Sequence, residues 1–85
     1  AYPNPFNPHT TINYDLPKDS FVRIDIYDLM GRHIKTLVNA NMMAGFRSIY
    51  WNAINSLSKP VSAGIYIYTI QAGEFMKTKK MVLIK

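Results

Sequence analysis

Apolar and polar residues alternate along this chain with a period of two, in short runs cut by turn residues, and almost nowhere with the period of a helix. This pattern narrows the folds open to the chain. A strand turns successive side chains to opposite faces, so each run buries one face and must pair and stack with others to close a core. The strongest run spans Gly64 to Ala72, with Ile65-Tyr66-Ile67-Tyr68-Thr69-Ile70 inside it, β-branched or aromatic throughout. Phe21 to Tyr27 alternates cleanly and places Val22, Ile24 and Ile26 inward and Arg23 and Asp25 outward. Thr10 to Leu16 sets Ile12, Tyr14 and Leu16 on one face. His33 to Val38, Phe46 to Trp51 (Ile49 and Trp51 inward) and Phe75 to Ile84 read as further strands.

The punctuation agrees with hairpin connections. Pro17-Lys18-Asp19-Ser20 is a turn, and Gly73-Glu74 is a short one. Asp28-Leu29-Met30-Gly31-Arg32 reads as a hairpin loop with a bulge, in which Gly31 takes the positive φ. Asn39 to Gly45 is expected to be a loop, with room for one helical turn at Met42-Met43-Ala44. Asn52 to Ala63 is the longest irregular stretch. Strands at spacings near 8–12 residues indicate an all-β, immunoglobulin-like β-sandwich of about seven antiparallel strands. Residues 1–85 are expected to form one domain. Gly64 followed two residues later by Tyr66 resembles the corner of such sandwiches, where a Tyr hydroxyl bonds back to nearby backbone. Tyr66 is then the corner residue, Tyr68 points inward and Trp51 is core. In the lead-in Pro3-Asn4-Pro5-Phe6-Asn7-Pro8, each proline stiffens the backbone, and Phe6 can plug the open end of the sandwich.

Composition excludes several classes. There are no cysteines, hence no disulfide framework and no thiolate metal site. No apolar run approaches the ~20 residues of a membrane span. Net charge is +5, but the positive charges are dispersed, apart from Lys77, Lys79, Lys80 and Lys85 near the end, so a solvated surface is favoured over nucleic-acid binding. Five acidic residues and two histidines supply no catalytic set, and no nucleophile has an oriented base beside it. His9 and His33 are expected to face solvent. Asp25 and Asp28 read as an exposed strand residue and a turn residue. No cofactor is implied. Asn52, Asn55 and Ser56 form an oxygen-rich loop that could hold calcium weakly, although such side chains more often satisfy turn amides. Tyr2, Tyr27 and Tyr50 could be surface rings for a sugar face.

The order of these pieces carries a resemblance. Tyr2-Pro-Asn-Pro-Phe-Asn-Pro8 is followed by Thr11-Ile12, Tyr14-Asp-Leu-Pro17 and Val22-Arg-Ile-Asp-Ile-Tyr-Asp-Leu-Met-Gly-Arg32. Then come Ile34-Lys-Thr-Leu37, Ala44-Gly45, Trp51-Asn52, Ala63-Gly-Ile-Tyr66 and Lys80-Met-Val-Leu-Ile-Lys85. Over essentially its whole length the chain resembles the type A C-terminal sorting domain of the type IX secretion system. It is similar also to the immunoglobulin-like domain of flagellar hook-capping proteins. It departs after Trp51, where the family often carries an acidic, Gly-rich turn and this chain runs Asn52-Ala-Ile-Asn-Ser-Leu-Ser58.

The resemblance implies a non-catalytic, monomeric module at the end of a secreted or cell-surface protein. It implies outer-membrane secretion machinery and a sortase-like peptidase as partners, with a passenger domain upstream and a route through the periplasm and outer membrane. The recognition element is placed in Gly73 to Lys85: Lys79, Lys80 and Lys85 supply charge, and Met81, Val82, Leu83 and Ile84 supply an edge open to strand addition. The competing reading makes Val82 and Ile84 ordinary core residues. Gly31, Trp51, Gly64, Tyr66 and Phe6 are assigned structural roles. The alternatives are a hook-cap-like structural appendage that works by protein–protein contact, and a carbohydrate-binding accessory module.

Overall fold

A computed structural model describes Tyr2, Pro5 and residues 8–84. The alternating runs form six strands: β1 (Thr10–Leu16), β2 (Ser20–Asp28), β3 (His33–Met42), β4 (Gly45–Trp51), β5 (Gly64–Ala72) and β6 (Phe75–Leu83). All pairings between these strands are antiparallel. They build a two-stranded sheet, β1-β4, and a four-stranded sheet in the order β3-β2-β5-β6. Among the described residues the count is six, where about seven were expected. Two isolated bridges, Tyr2 with Thr11 and Ile54 with Pro60, lie outside the six strands.

Between the sheets lies one core. Ile12 and Leu16 come from β1, Val22, Ile24 and Ile26 from β2, and Trp51 from β4. Tyr66, Tyr68 and Ile70 come from β5, and Met81 and Leu83 from β6. β3 contributes differently. Its register against β2 shifts twice, between Ile24 and Asp25 and between Ile26 and Tyr27. Leu37 and Ile34 are the residues left without a partner, the mark of β-bulges. The bulges let Ile34, Leu37 and Val38 all pack on the core from one strand, which strict alternation forbids. β3 also runs on to Met42 rather than ending at Val38, so the expected loop shrinks to Met43 and Ala44 and contains no helical turn. Asp19 Oδ1 accepts the Ala44 amide at 2.8 Å and ties that turn to the β1–β2 turn.

Two loops repeat one design. In the β2–β3 hairpin, Asp28 Oδ1 accepts the amides of Met30 and Arg32 at 2.9 and 3.0 Å. The Gly31 amide donates to the Asp28 carbonyl, and the Asp28 amide to the Arg32 carbonyl. In the stretch expected to be irregular, Asn55 Oδ1 accepts the amides of Leu57 and Lys59 at 2.9 and 3.1 Å. There the Ser58 amide donates to the Asn55 carbonyl and the Asn55 amide to the Lys59 carbonyl. Gly31 takes φ +82°, and Ser58, in the matching position, takes φ +61°. Residues 53–61 thus form a miniature hairpin. Ser56 fastens it to the start of β3 by donating both its amide and its hydroxyl to the Ile34 carbonyl, each at 3.0 Å.

Candidate recognition surface

The closing strand is the site singled out by sequence, and the pleat divides it. The two-residue turn Gly73-Glu74 pairs Ala72 with Phe75, which carries Tyr66 opposite Met81 and Ile65 opposite Val82. Opposed residues share a face. Gly73 sits at φ +60°, as a Gly-first hairpin turn requires. Tyr66 and Tyr68 face the core, so Met81 and Leu83 do too, with 0% and 1% of their surface exposed. These two residues do not present an edge to a partner. Nor are Val82 and Ile84 the core pair. Val82 is half-buried on the outer face, and Ile84, just past the strand, is 51% exposed. Lys80 shares the outer face with Val82, and Lys79 points with Met81 toward the inner side. Lys85 and Phe6 lie outside the described residues.

Around Lys80, Val82 and Ile84 the outer face is apolar. Ile65 is paired with Val82, and Ile67 with both Lys80 and Tyr27. Sequence reasoning left Ile65 and Ile67 out of the site. The signal was present, since a run of apolar residues on both faces of β5 exceeds what one core can bury.

Further along the same face, Asp25 is 5% exposed, against the expectation of a solvated strand residue. Arg23 Nε donates to Asp25 Oδ2 at 2.7 Å, and Thr36 Oγ1 donates to Oδ1 at 2.7 Å. His33 Nε2 lies 2.9 Å from Oδ1. The Leu37 bulge sets Thr36 opposite Asp25, where unbroken pairing would have put its neighbour. Burial alone would raise the carboxyl's pKa. The hydrogen bonds from Arg23, Thr36 and His33 outweigh it and hold the group below the ordinary carboxylate value. His33 and His9 are both exposed, as expected; His33 also bonds to this cluster, and the His9 ring lies against Tyr50 with centroids 5.2 Å apart.

On the inner side the small sheet covers only part of the large one. A groove of about 340 Å³ opens between β1 and the inner face of β6, with Asn13 and Asp15 on one wall and Phe75, Lys77 and Lys79 on the other. An adjoining hollow of about 610 Å³ continues it past Pro17 and Gly73.

The structural positions gather at the opposite end. Tyr66 donates its hydroxyl to the Ser62 carbonyl at 2.5 Å, the bond of an immunoglobulin-type corner. Burial, with the Asp28 charge adding to it, pushes the Tyr66 phenol above its usual pKa. The Trp51 ring meets Tyr66 edge-on at 5.6 Å and donates its Nε1 proton to the Ile54 carbonyl at 2.9 Å. Gly64 opens β5 at φ +151°. The oxygen-rich loop considered for calcium spends Asn55 Oδ1 on two amides. Among the described residues no group of three or more His, Asp or Glu is placed to hold a metal. The three candidate surface rings are split: Tyr2 and Tyr50 flank Thr11 on the small sheet, and Tyr27 lies on the large one.

An antiparallel sandwich with a tyrosine corner and a closing edge hairpin defines the class. Solved structures share the fold. FlgD from P. aeruginosa matches with TM-score 0.69 and 23% identity, over 87% of this chain and 58% of that one. Latent, dimeric PorU from Porphyromonas gingivalis matches with TM-score 0.74 and 20% identity, over 98% of this chain and 9% of that one. PorZ, a surface component of the type IX secretion system of the same organism, matches with TM-score 0.70 and 21% identity, over 99% and 11%. The chain thus spans little more than half of FlgD and a small part of PorU and PorZ. No curated protein matches it by sequence. All of residues 1–85 match the family described as the secretion system C-terminal sorting domain, and the chain belongs to that family. It is a non-catalytic type IX sorting module that directs secretion across the outer membrane and attachment at the cell surface.

Proposed function

We propose that the secretion machinery reads the outer face of the β5–β6 hairpin. Lys80 and Val82 come from the end of β6 and Ile84 from just past it, and Ile65 and Ile67 lie beside them. The observation that carries this reading is the division of the closing strand's end: it keeps Met81 and Leu83 for the core, turns Val82 outward beside Ile65, and leaves Ile84 just past it exposed. A folded sandwich supports such a reading because its surface is the same whatever protein it follows. β6 is the last strand of the large sheet, and the side chains of its outer face can discriminate between partners. A sortase-like peptidase then removes the module and attaches or releases the protein that carried it.

The test is a reporter exported to the periplasm and fused ahead of these 85 residues, in a host with an active type IX system. Ile84→Asp and Lys80→Glu lie on the exposed face, so the domain should keep its thermal stability within about 0.5 kcal/mol. The expected result is reporter retained in the periplasm for both variants and exported for the unmodified fusion. Normal export of both would place recognition elsewhere. Mass spectrometry of the exported reporter reads whether the module has been removed.

A further inference from the structure

Tyr2 is joined to β1 by two hydrogen bonds of 2.8 Å, its amide to the Thr11 carbonyl and the Thr11 amide to its own carbonyl. The bridge is antiparallel and lies on the side of β1 away from β4. Backbone groups alternate between the two edges of a strand. If Thr11 points to that outer edge, so do Asn13 and Asp15, and these residues line the groove facing β6. The chain approaching Tyr2 therefore has a direction and a register. Antiparallel pairing sets the first and third residues ahead of Ala1 opposite Asn13 and Asp15, and the second and fourth opposite Tyr14 and Leu16.

Among the described residues, no strand pairs with this edge of β1 beyond the Tyr2 bridge. In the immunoglobulin scheme β1 and β4 take the places of strands B and E, and β2, β3, β5 and β6 those of C, C′, F and G. Strand A belongs beside B, over G. Here that is the free edge of β1, over Phe75, Lys77 and Lys79.

We propose that the segment immediately ahead of Ala1, which joins this C-terminal domain to the protein it follows, is the third strand of the small sheet, antiparallel to β1 and filling the groove. Its second and fourth residues ahead of Ala1 face inward with Tyr14 and Leu16 and meet Phe75 and Lys77. Apolar or acidic side chains suit those two positions, and lysine or arginine does not. The junction between passenger and domain is then part of the fold. A peptidase that binds its substrate as an extended chain cannot engage the junction until the strand is peeled from β1, so the paired strand shields it from cleavage. This inference rests on membership of the C-terminal family and is independent of which outer face the machinery reads.

Amide exchange followed by NMR in the full-length parent protein and in the 85-residue domain tests it. Asn13 and Asp15 amides should exchange at least roughly tenfold more slowly in the parent. Equal rates would overturn the proposal. Protection that appears in the 85-residue domain only as its concentration rises would give the groove to a second copy, and would also overturn it. Asn13→Pro provides the second arm. It removes a donor that faces the groove and leaves the β1–β4 ladder its own bonds. In the parent, Asn13→Pro should speed cleavage of the junction by an added nonspecific protease about tenfold, with the domain's circular dichroism unchanged. An unchanged cleavage rate in a folded variant would refute the strand. If the variant does not fold, the exchange comparison on the unmodified protein decides.

Discussion

At the scale of single residues, stability turns on a few backbone positions. Ser58 stands at φ +61° in a loop whose twin uses Gly31 at φ +82°. A left-handed conformation costs a residue with a Cβ about 1–2 kcal/mol, and glycine returns some ~0.5–1 kcal/mol of that through its freer unfolded state. Ser58→Gly is expected to raise stability by roughly 0.5 kcal/mol, and Gly31→Ala to lower it by about 1 kcal/mol, both read by urea denaturation. Tyr66→Phe keeps the ring against Trp51 but leaves the Ser62 carbonyl without its donor. A loss of about 1–2 kcal/mol is expected, seen as a Tm lower by several degrees.

Asp25 adds a pH dependence of known sign. Its folded pKa lies below the ordinary value, so its contribution is complete above about pH 4 and is lost as pH falls through the folded pKa. Asp25→Asn should cost roughly 1 kcal/mol near neutrality and little at the lowest pH where the fold persists. Denaturation curves of both proteins from pH 7 downward check this. A smaller acid slope should survive in the variant, because Asp28 is also held low by its bonds to Arg32 and Met30 once burial is offset.

At the scale of elements, the closing hairpin carries both fold and function on alternate residues. Met81→Ala empties a fully buried position and should destabilise by about 2–4 kcal/mol, whereas Ile84→Ala should stay within about 0.5 kcal/mol. Thermal melts of the two variants separate the faces of one strand. The division was legible in the sequence. A two-residue turn at Gly73-Glu74 with Tyr66 and Tyr68 inward already requires Met81 to face inward, since one residue of slip reverses every side chain. Reading β6 alone, as a basic-apolar run, concealed it. The β3 bulges were not legible, because Ile34, Leu37 and Val38 break strand alternation and fall instead at i, i+3 and i+4, the spacing of a helix face. The second loop, at Asn55, was hidden by Ser58, where glycine would have marked it.

At the scale of the whole molecule, the sorting signal and the fold cannot be separated by truncation. Removing residues 80–85 takes Met81 and Leu83 out of the core, so the shortened chain should lose its cooperative melt, and its failure to be secreted would say nothing about recognition. Circular dichroism of the truncated domain checks this directly, and point changes on the outer face are the informative ones.

The period of two, the turns at residues 17–20, 28–32 and 73–74, the buried Trp51 and the corner at Tyr66 are all legible in the chain alone. These depend on local alternation and on residue types with one strong backbone or packing preference. Tertiary structure decided the rest. Cross-strand register sent neighbours in one run to the core, the groove and the outer face. Bulges brought Thr36 to Asp25 and buried a carboxylate that alternation had left in water. The stacking of two strands over four opened the groove beside β1. None of these is a property of any one segment, because each is set by which strand lies opposite.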